Sequence, residues 1–205
     1  MYTRMMIRRL VQLFLGLCLY GVSMALMIRA DLGLNPWEVF HQGVSGWTGW
    51  SFGTVVMATG AFVLLLWIPL RQKPGIGTIS NIFVIGLVAD LGLAAIPDVP
   101  LPLAAAAPLL VLGIVLNGVA GGAYIGAGLG PGPRDGLMTG LARRTGWKIR
   151  PVRTAIELVV LGTGWLLGGT AGLGTILYAL AIGPIVGFTL PLFTIADRKA
   201  GVAVA

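Results

Sequence analysis

Shifted by 97 residues, the chain aligns with itself without a gap. Gly16-x4-Gly21-Val22 meets Gly113-x4-Gly118-Val119, and Leu32-Gly33-x2-Pro36 meets Leu129-Gly130-x2-Pro133. Thr48-Gly49-Trp50 meets Thr145-Gly146-Trp147, and Gly75-Ile76-Gly77-Thr78-Ile79 meets Gly172-Leu173-Gly174-Thr175-Ile176. Leucine and glycine match by chance in any two apolar segments. A Thr-Gly-Trp and a Gly-x-Gly-Thr at one fixed offset do not. The chain is a duplication, and a repeat of this kind governs the fold of the whole.

The repeated unit is written for lipid. Of 205 residues, 57% are hydrophobic and 10% charged, with a mean hydropathy of +0.92. Soluble domains run at roughly 45–50% apolar and about 25% charged residues. A transmembrane helix needs about 20 mostly apolar residues, and six runs qualify, at about 9–29, 52–70, 76–96, 106–127, 151–169 and 174–195. Three fall in each copy. Three is odd, so the second copy enters the membrane from the side opposite to the first. The expected fold is therefore an all-α membrane protein of six transmembrane helices, built as two inverted three-helix repeats. Residues 1–205 form a single membrane domain, with repeat 1 at about 9–97 and repeat 2 at about 106–195.

Charge placement gives the orientation. Arg4, Arg8 and Arg9 precede the first run, and Arg71 and Lys73 follow the second. Arg134, Arg143, Arg144, Lys148, Arg150 and Arg153 lie between the fourth and fifth, and Arg198 and Lys199 follow the sixth. With both termini inside, all of these are cytoplasmic and only Arg29 is not, as the positive-inside rule requires. The net charge of +7 is topology, and no nucleic-acid partner is expected. The expected location is the bacterial cytoplasmic (inner) membrane, multi-pass. The opening MYTRMMIRRL has the form of a signal-peptide n-region, but the run after it is half of a duplication and reads as a retained span. One cysteine, Cys18, and one histidine allow neither a disulfide nor a Cys/His metal cluster. Cys18 reads as a small packing residue.

Each copy is interrupted after its first run, at DLGLNPWEVFHQG and GLGPGPRDGLMTG. Asn35-Pro36-Trp37-Glu38 has the grammar of a helix start, with Asn as N-cap, Pro at N1 and Glu at N3 to reach back to the cap. Gly132-Pro133-Arg134-Asp135 repeats it. Each predicts a half-helix running about ten residues, to Gly43 or Gly140, roughly 15 Å at 1.5 Å per residue. Two placements are open. Re-entrant half-helices would bring two positive N-termini toward the midplane, where they could hold an anion. Flat half-helices would lie at the interfaces, anchored by Trp47 and Trp50 or by Trp147.

Eight residues are candidates for a binding site. Glu38 and Asp135 are equivalent and either cap their helices or form a pair of carboxylates that binds a cation or carries a proton, since intramembrane ionisable groups are costly. His41 is an interfacial histidine or a sensor of external pH. Arg134, aligned with Trp37, is a topology charge or part of an anion site beside a helix N-terminus. Arg153 and Glu157 stand four apart on one face of the fifth run, while their repeat partners are Val56 and Gly60. Glu157 is thus a buried paired carboxylate or a coupling charge. Asn35 and Trp37 complete the set. Asp90 is a weaker candidate, and Arg29 with Asp31 reads as a local ion pair. The run GGAYIGAGLGPG lacks the Gly-Lys-Ser/Thr of a phosphate-binding loop, and no HExxH, GxSxG or CxxC occurs. Neither a cofactor nor an enzymatic activity is expected.

The motifs LGLNPWEVFHQG, GLGPGPRDGLMTGL, VRTAIEL and GGTAGLGT resemble the YczE-like family of bacterial integral membrane proteins, which is broadly related to the YitT group. The family's first motif usually reads Gly-Leu-Gly-Pro-Trp-Asp followed by His-Gln-Gly; Glu38 here replaces the Asp. The resemblance implies a multi-span membrane protein, often taken for a transporter, without an agreed substrate. The expected function is a small permease for a polar or anionic small-molecule substrate bound between inverted repeats near the midplane, as in other inverted-repeat transporters. Two other readings stay open: a non-transporting accessory or scaffold for a membrane-associated partner, and a lipid flippase or scramblase using the basic loop 143–153. Membrane lipids are partners in every case, and a homo-oligomer is left open.

Overall fold

The computed structural model describes residues 2–195, so the cytoplasmic charges expected at Arg198 and Lys199 lie outside the described residues. The described residues form eight helices and no strand: α1 (Tyr2–Ala30), α2 (Pro36–Thr48), α3 (Phe52–Leu70), α4 (Ile76–Ala95), α5 (Leu103–Gly126), α6 (Pro133–Thr145), α7 (Ile149–Leu166) and α8 (Leu173–Phe193). Five of them, α1, α3, α4, α5 and α8, are long and apolar enough to cross a membrane. The fifth expected span appears as α7, but its 18 residues include Arg150, Arg153 and Glu157, and they hold it below that threshold.

The duplication is visible in the backbone. Both ends of α2 and α6, and the starts of α3 and α7 and of α4 and α8, recur at the offset of 97. Left-handed glycines close both half-helices, Gly49 at φ 73° and Gly146 at φ 73°. The hydroxyls of Thr48 and Thr145 turn back onto Val44 O and Leu141 O, each at 2.8 Å, and each accepts from the tryptophan N–H two residues on. The repeated Thr-Gly-Trp is thus a helix C-cap. This corrects the expected length: each half-helix has 13 residues rather than ten. Gly43 lies inside α2, at a close helix contact where an added Cβ would come 2.5 Å from Gly164 O.

The other repeated motif is a clasp between the copies. Gly77 N–H donates to Leu129 O at 2.8 Å, and Gly174 N–H donates to Leu32 O at 2.7 Å. The broken backbone after α1 is therefore held by the start of α8, and the break after α5 by the start of α4. Thr78 Oγ1 adds a bond to Pro131 O at 2.7 Å while accepting from Gly75 N–H at 3.1 Å. Gly33 and Gly130 lie at φ 116° and 124°, where a side chain is strained.

Packing follows the same crossing. α1 runs along α5, α4 flanks α1, and α8 flanks α5, while α2 packs on α7 and α6 on α3. Each half-helix thus docks on the opposite copy. Lipid offers apolar side chains no hydrophobic gain over helix neighbours, so close contact through small residues must hold such helices together. One contact has no counterpart. α3 packs on α4 so closely that a Cβ at Gly53 would lie 2.0 Å from Gly86 O, and Asp90 accepts from Ser51 Oγ at 2.6 Å and Gly53 N–H at 2.7 Å. α7 and α8 make no comparable contact, and Gly183 and Gly187 face open space. Two local expectations are also corrected. Arg29 pairs with Asp98 and Leu93 O rather than Asp31, which accepts from Thr170 Oγ1 at 3.1 Å. Cys18 is exposed on the outer surface of the bundle, not packed.

The clasp predicts a matched pair of outcomes. Gly33→Ala and Gly130→Ala each impose a left-handed backbone on a side chain that also meets the clasping helix, costing about 1–3 kcal/mol or more. Gly46→Ala, in a helix with nothing within 4 Å, is neutral or stabilising by up to ~1 kcal/mol. Apparent melting temperatures of the detergent-purified protein test the contrast.

Candidate functional site

Each half-helix begins with an exposed set of N–H groups, and the sequence supplies the caps. Asn35 Oδ1 accepts from Glu38 N–H at 3.0 Å, and Pro36 occupies N1. At the second copy Gly132 stands at the cap without a side-chain acceptor, and Pro133 occupies N1. Pro36 and Pro133 line one cavity of about 120 Å³. Its walls include Tyr20 and Ile85, from the middle of α1 and α4. Equivalent positions of the two copies line it together: Pro36 and Pro133, Trp37 and Arg134, Asn81 and Tyr178. Both copies therefore contribute matching positions to one cavity.

Six of the eight candidate residues line this cavity: Asn35, Trp37, Arg134, Asp135, Arg153 and Glu157. The guanidinium of Arg134 sits 5.0 Å from the centroid of the Trp37 ring, a contact worth about 0.5–2 kcal/mol. Among the described residues it makes no ion pair or hydrogen bond, so its donors are uncommitted. Asp135 does not cap α6; it accepts from Tyr124 OH at 3.0 Å. Arg153 Nε donates to Glu157 Oε1 at 2.8 Å, with side chains 58% and 30% exposed.

Glu38 and His41 do not line it. Glu38 is 0% exposed and lies behind Asn35, whose Nδ2 donates to Glu38 Oε1. This corrects the capping box: the carboxyl reaches the cap's side-chain amide, not its backbone N–H. Glu38 Oε2 has no partner among the described residues. His41, 1% exposed, packs between Phe40 and Phe52 with ring centroids 6.0 and 5.9 Å away, and its Nδ1 is likewise unpartnered. It borders a second cavity of about 20 Å³ shared with Trp37 and Arg134. Asp90 lies away from the site, at the α3–α4 contact.

The formal charges of Arg134, Arg153, Asp135 and Glu157 cancel. Two half-helix N-termini, each about +0.5 of a unit charge, tip the balance positive, and Arg134 carries the free donors. Sequence reasoning missed Tyr20, Asn81, Tyr124 and Tyr178. Asn81 and Tyr178 are both polar and occupy one repeat position, a signal that a comparison of polar positions between the copies exposes. Asn117, buried on α5, joins the same layer, accepting from Tyr178 OH at 2.8 Å and donating to Ser23 Oγ at 2.9 Å.

The Asn35–Glu38 contact predicts graded stability. Asn35→Ala removes both cap and amide, costing about 1–3 kcal/mol. Asn35→Ser keeps a cap acceptor and loses only the bond to Glu38, so it falls between wild type and Ala in thermal unfolding. In a Glu38→Gln background the Asn-to-Ser difference shrinks; an unchanged difference means the carboxyl and the amide do not interact.

Residues 7–191 match a family described as a family of unknown function, DUF6198. An uncharacterized protein of Haemophilus influenzae is 38% identical over 178 residues, covering 87% of this chain and 81% of the relative. The uncharacterized membrane protein YczE of Bacillus subtilis is 36% identical over 181 residues, covering 87% of this chain and 83% of the relative. No solved structure matches. With a profile spanning nearly the whole chain and relatives of this similarity, the protein belongs to the YczE-like membrane proteins of the DUF6198 family.

Proposed function

We propose that this protein is a small transporter that binds a small anionic solute in the cavity between α2 and α6 and moves it by alternating access. The observation that carries the reading is the convergence of two half-helix N-termini and the uncommitted guanidinium of Arg134 on one polar cavity. Oriented backbone donors at helix starts bind anions, and a guanidinium adds paired donors that match carboxylate or phosphate. A volume of about 120 Å³ is well below the ~300–1,000 Å³ of drug-sized sites, so the solute has few heavy atoms.

In this reading α7 is the sixth span, the two copies are inverted, and α2 and α6 are re-entrant. Broken helices of inverted copies meeting at a shared site are the hallmark of such carriers. Trp47, Trp50 and Trp147, all exposed at the far ends of the half-helices, sit at the interfaces. The cluster of basic residues at 143–153 favours a cytoplasmic start of α7. The α3–α4 contact with its Asp90 bonds then seals the outer side. Its counterpart, α7 and α8, stands open to the inner side, with Lys148 and Gly187 where the sealed copy has Ser51 and Asp90. Exchanging the two arrangements between the copies would turn the cavity outward.

A second reading has its own observation. An apolar groove of about 620 Å³ runs between α3 and α7 and ends on Trp37, the ring on which Arg134 rests. An anionic lipid could place its headgroup at Arg134 and a chain in the groove, which favours lipid movement over solute transport.

Two measurements test these readings. In proteoliposomes, a panel of small carboxylates and oxyanions gives counterflow for at least one member; Arg134→Gln reduces it at least tenfold, and Arg134→Lys less. Flux indifferent to Arg134→Gln overturns the site, and movement of fluorescent phospholipid without anion flux selects the lipid reading. For the seal, a Cys18→Ser background with Asn81→Cys is labelled from outside by an impermeant thiol reagent. Asp90→Ala raises that labelling; no change refutes the outer seal.

A further inference from the structure

Three carboxylates surround the cavity, and two of them are committed. Glu157 bonds Arg153, and Asp135 bonds Tyr124. Glu38 differs: it is wholly buried, makes no ion pair among the described residues, and has one oxygen without a partner. Its other oxygen is tied to Asn35, a side chain that also lines the cavity. A buried carboxylate with no cation in contact bears a large desolvation cost, and neutralising it by protonation is the ordinary remedy. We infer that Glu38 is the proton-binding residue of this protein, and that protonation of Glu38 and anion binding in the cavity promote each other through Asn35. The inference rests on the transporter reading and names its coupling ion.

The linkage has two physical parts. An ionised Glu38 holds the Asn35 amide as a strong acceptor; once a proton adds to Oε2 the carboxyl is a weaker acceptor, and the amide donor becomes available to an anion. Arg134 rests on the ring of Trp37, the residue next to Glu38 in α2, so neutralising Glu38 leaves that guanidinium to the anion. The other titratable groups facing this region are His41 on α2, Tyr20 on α1, Tyr124 on α5, Asp135 on α6, Tyr178 on α8 and the Arg153–Glu157 pair on α7; α3 carries no charged side chain. The balance is simple. Oε2 takes one proton from water at one face and returns it to water at the other, so a proton and a monoanion cross together without net charge.

Infrared difference spectroscopy of the protein in nanodiscs, titrated with pH, tests this without any substrate. A carbonyl band of a protonated carboxyl that titrates in the wild type, vanishes in Glu38→Gln and persists in Glu157→Gln and Asp135→Asn is the expected result. No titrating band in the wild type, or a band that survives Glu38→Gln or disappears in Glu157→Gln, overturns the inference. If Glu38→Gln does not fold, Glu38→Asp serves: the band shifts in frequency if Glu38 carries the proton and is unmoved if it does not. A second arm uses vesicles with a trapped pH dye and gradients of chloride, nitrate or inorganic phosphate. Anion flux without proton movement leaves the transporter reading standing and sinks this inference. A Glu38 band with no anion flux overturns the transporter reading and the coupling together, and leaves Glu38 a proton-binding residue alone.

Discussion

Non-helical backbone cannot face lipid, because each orphaned N–H or C=O there costs several kcal/mol. This chain breaks its helices twice, after α1 and after α5, and everything else depends on how the freed carbonyls are satisfied. Leu32 O and Leu129 O each receive an N–H from the first turn of the last helix of the opposite copy. Those helix starts have orphan donors of their own, so one bond answers two deficits. The same exchange binds the copies together, which makes the broken segments a structural seam.

The seam explains which residues the duplication retained. Gly-x-Gly-Thr persists because Gly77 and Gly174 must bring backbone within bonding distance of a carbonyl, and Thr78 and Thr175 close the helix start with their hydroxyls. Leu-Gly persists because Gly33 and Gly130 need positive φ. Thr-Gly-Trp persists as the C-cap of each half-helix. Where backbone geometry is not at stake, the copies diverged, and the charged residues of α6 and α7 have no charged counterpart in the first copy other than Glu38.

Local signals were therefore the legible ones. The starts of α2 and α6 can be read from Asn35-Pro36 and Gly132-Pro133, because a cap acts within one turn, and those of α3 and α4 from the apolar runs that open at 52 and 76. The end of α2 could not, since Gly43 serves a contact with Gly164 that is distant in sequence, and nothing in the sequence separates a packing glycine from a terminating one. Asp90 illustrates the same limit: it caps α3 from α4. At the site, the repeat alignment drew attention to Trp37, Arg134, Glu38 and Asp135, whereas Tyr20 and Tyr124 passed as ordinary members of apolar runs. What distinguishes them is the helix face they occupy, and only the crossing of α1 with α5 fixes that.

A cavity lined by matching positions of two copies poses a problem that divergence solves. Had the copies stayed identical there, arginine would be set beside arginine and glutamate beside glutamate. Here Trp37 stands where the second copy has Arg134, and the pair attracts. The carboxylates part company in the same way. Tyr124, which serves Asp135, has Met27 as its counterpart, and methionine cannot donate to Glu38. Asn35, which serves Glu38, has Gly132 as its counterpart, and glycine cannot donate a side-chain bond to Asp135. A symmetric backbone thus holds two carboxylates in unlike surroundings, one satisfied by a hydroxyl at the cavity wall and one sealed behind an amide. Unlike surroundings are what separate the behaviour of paired acids, and in the proposed transporter that separation divides ligand contact from proton binding on a single duplicated scaffold.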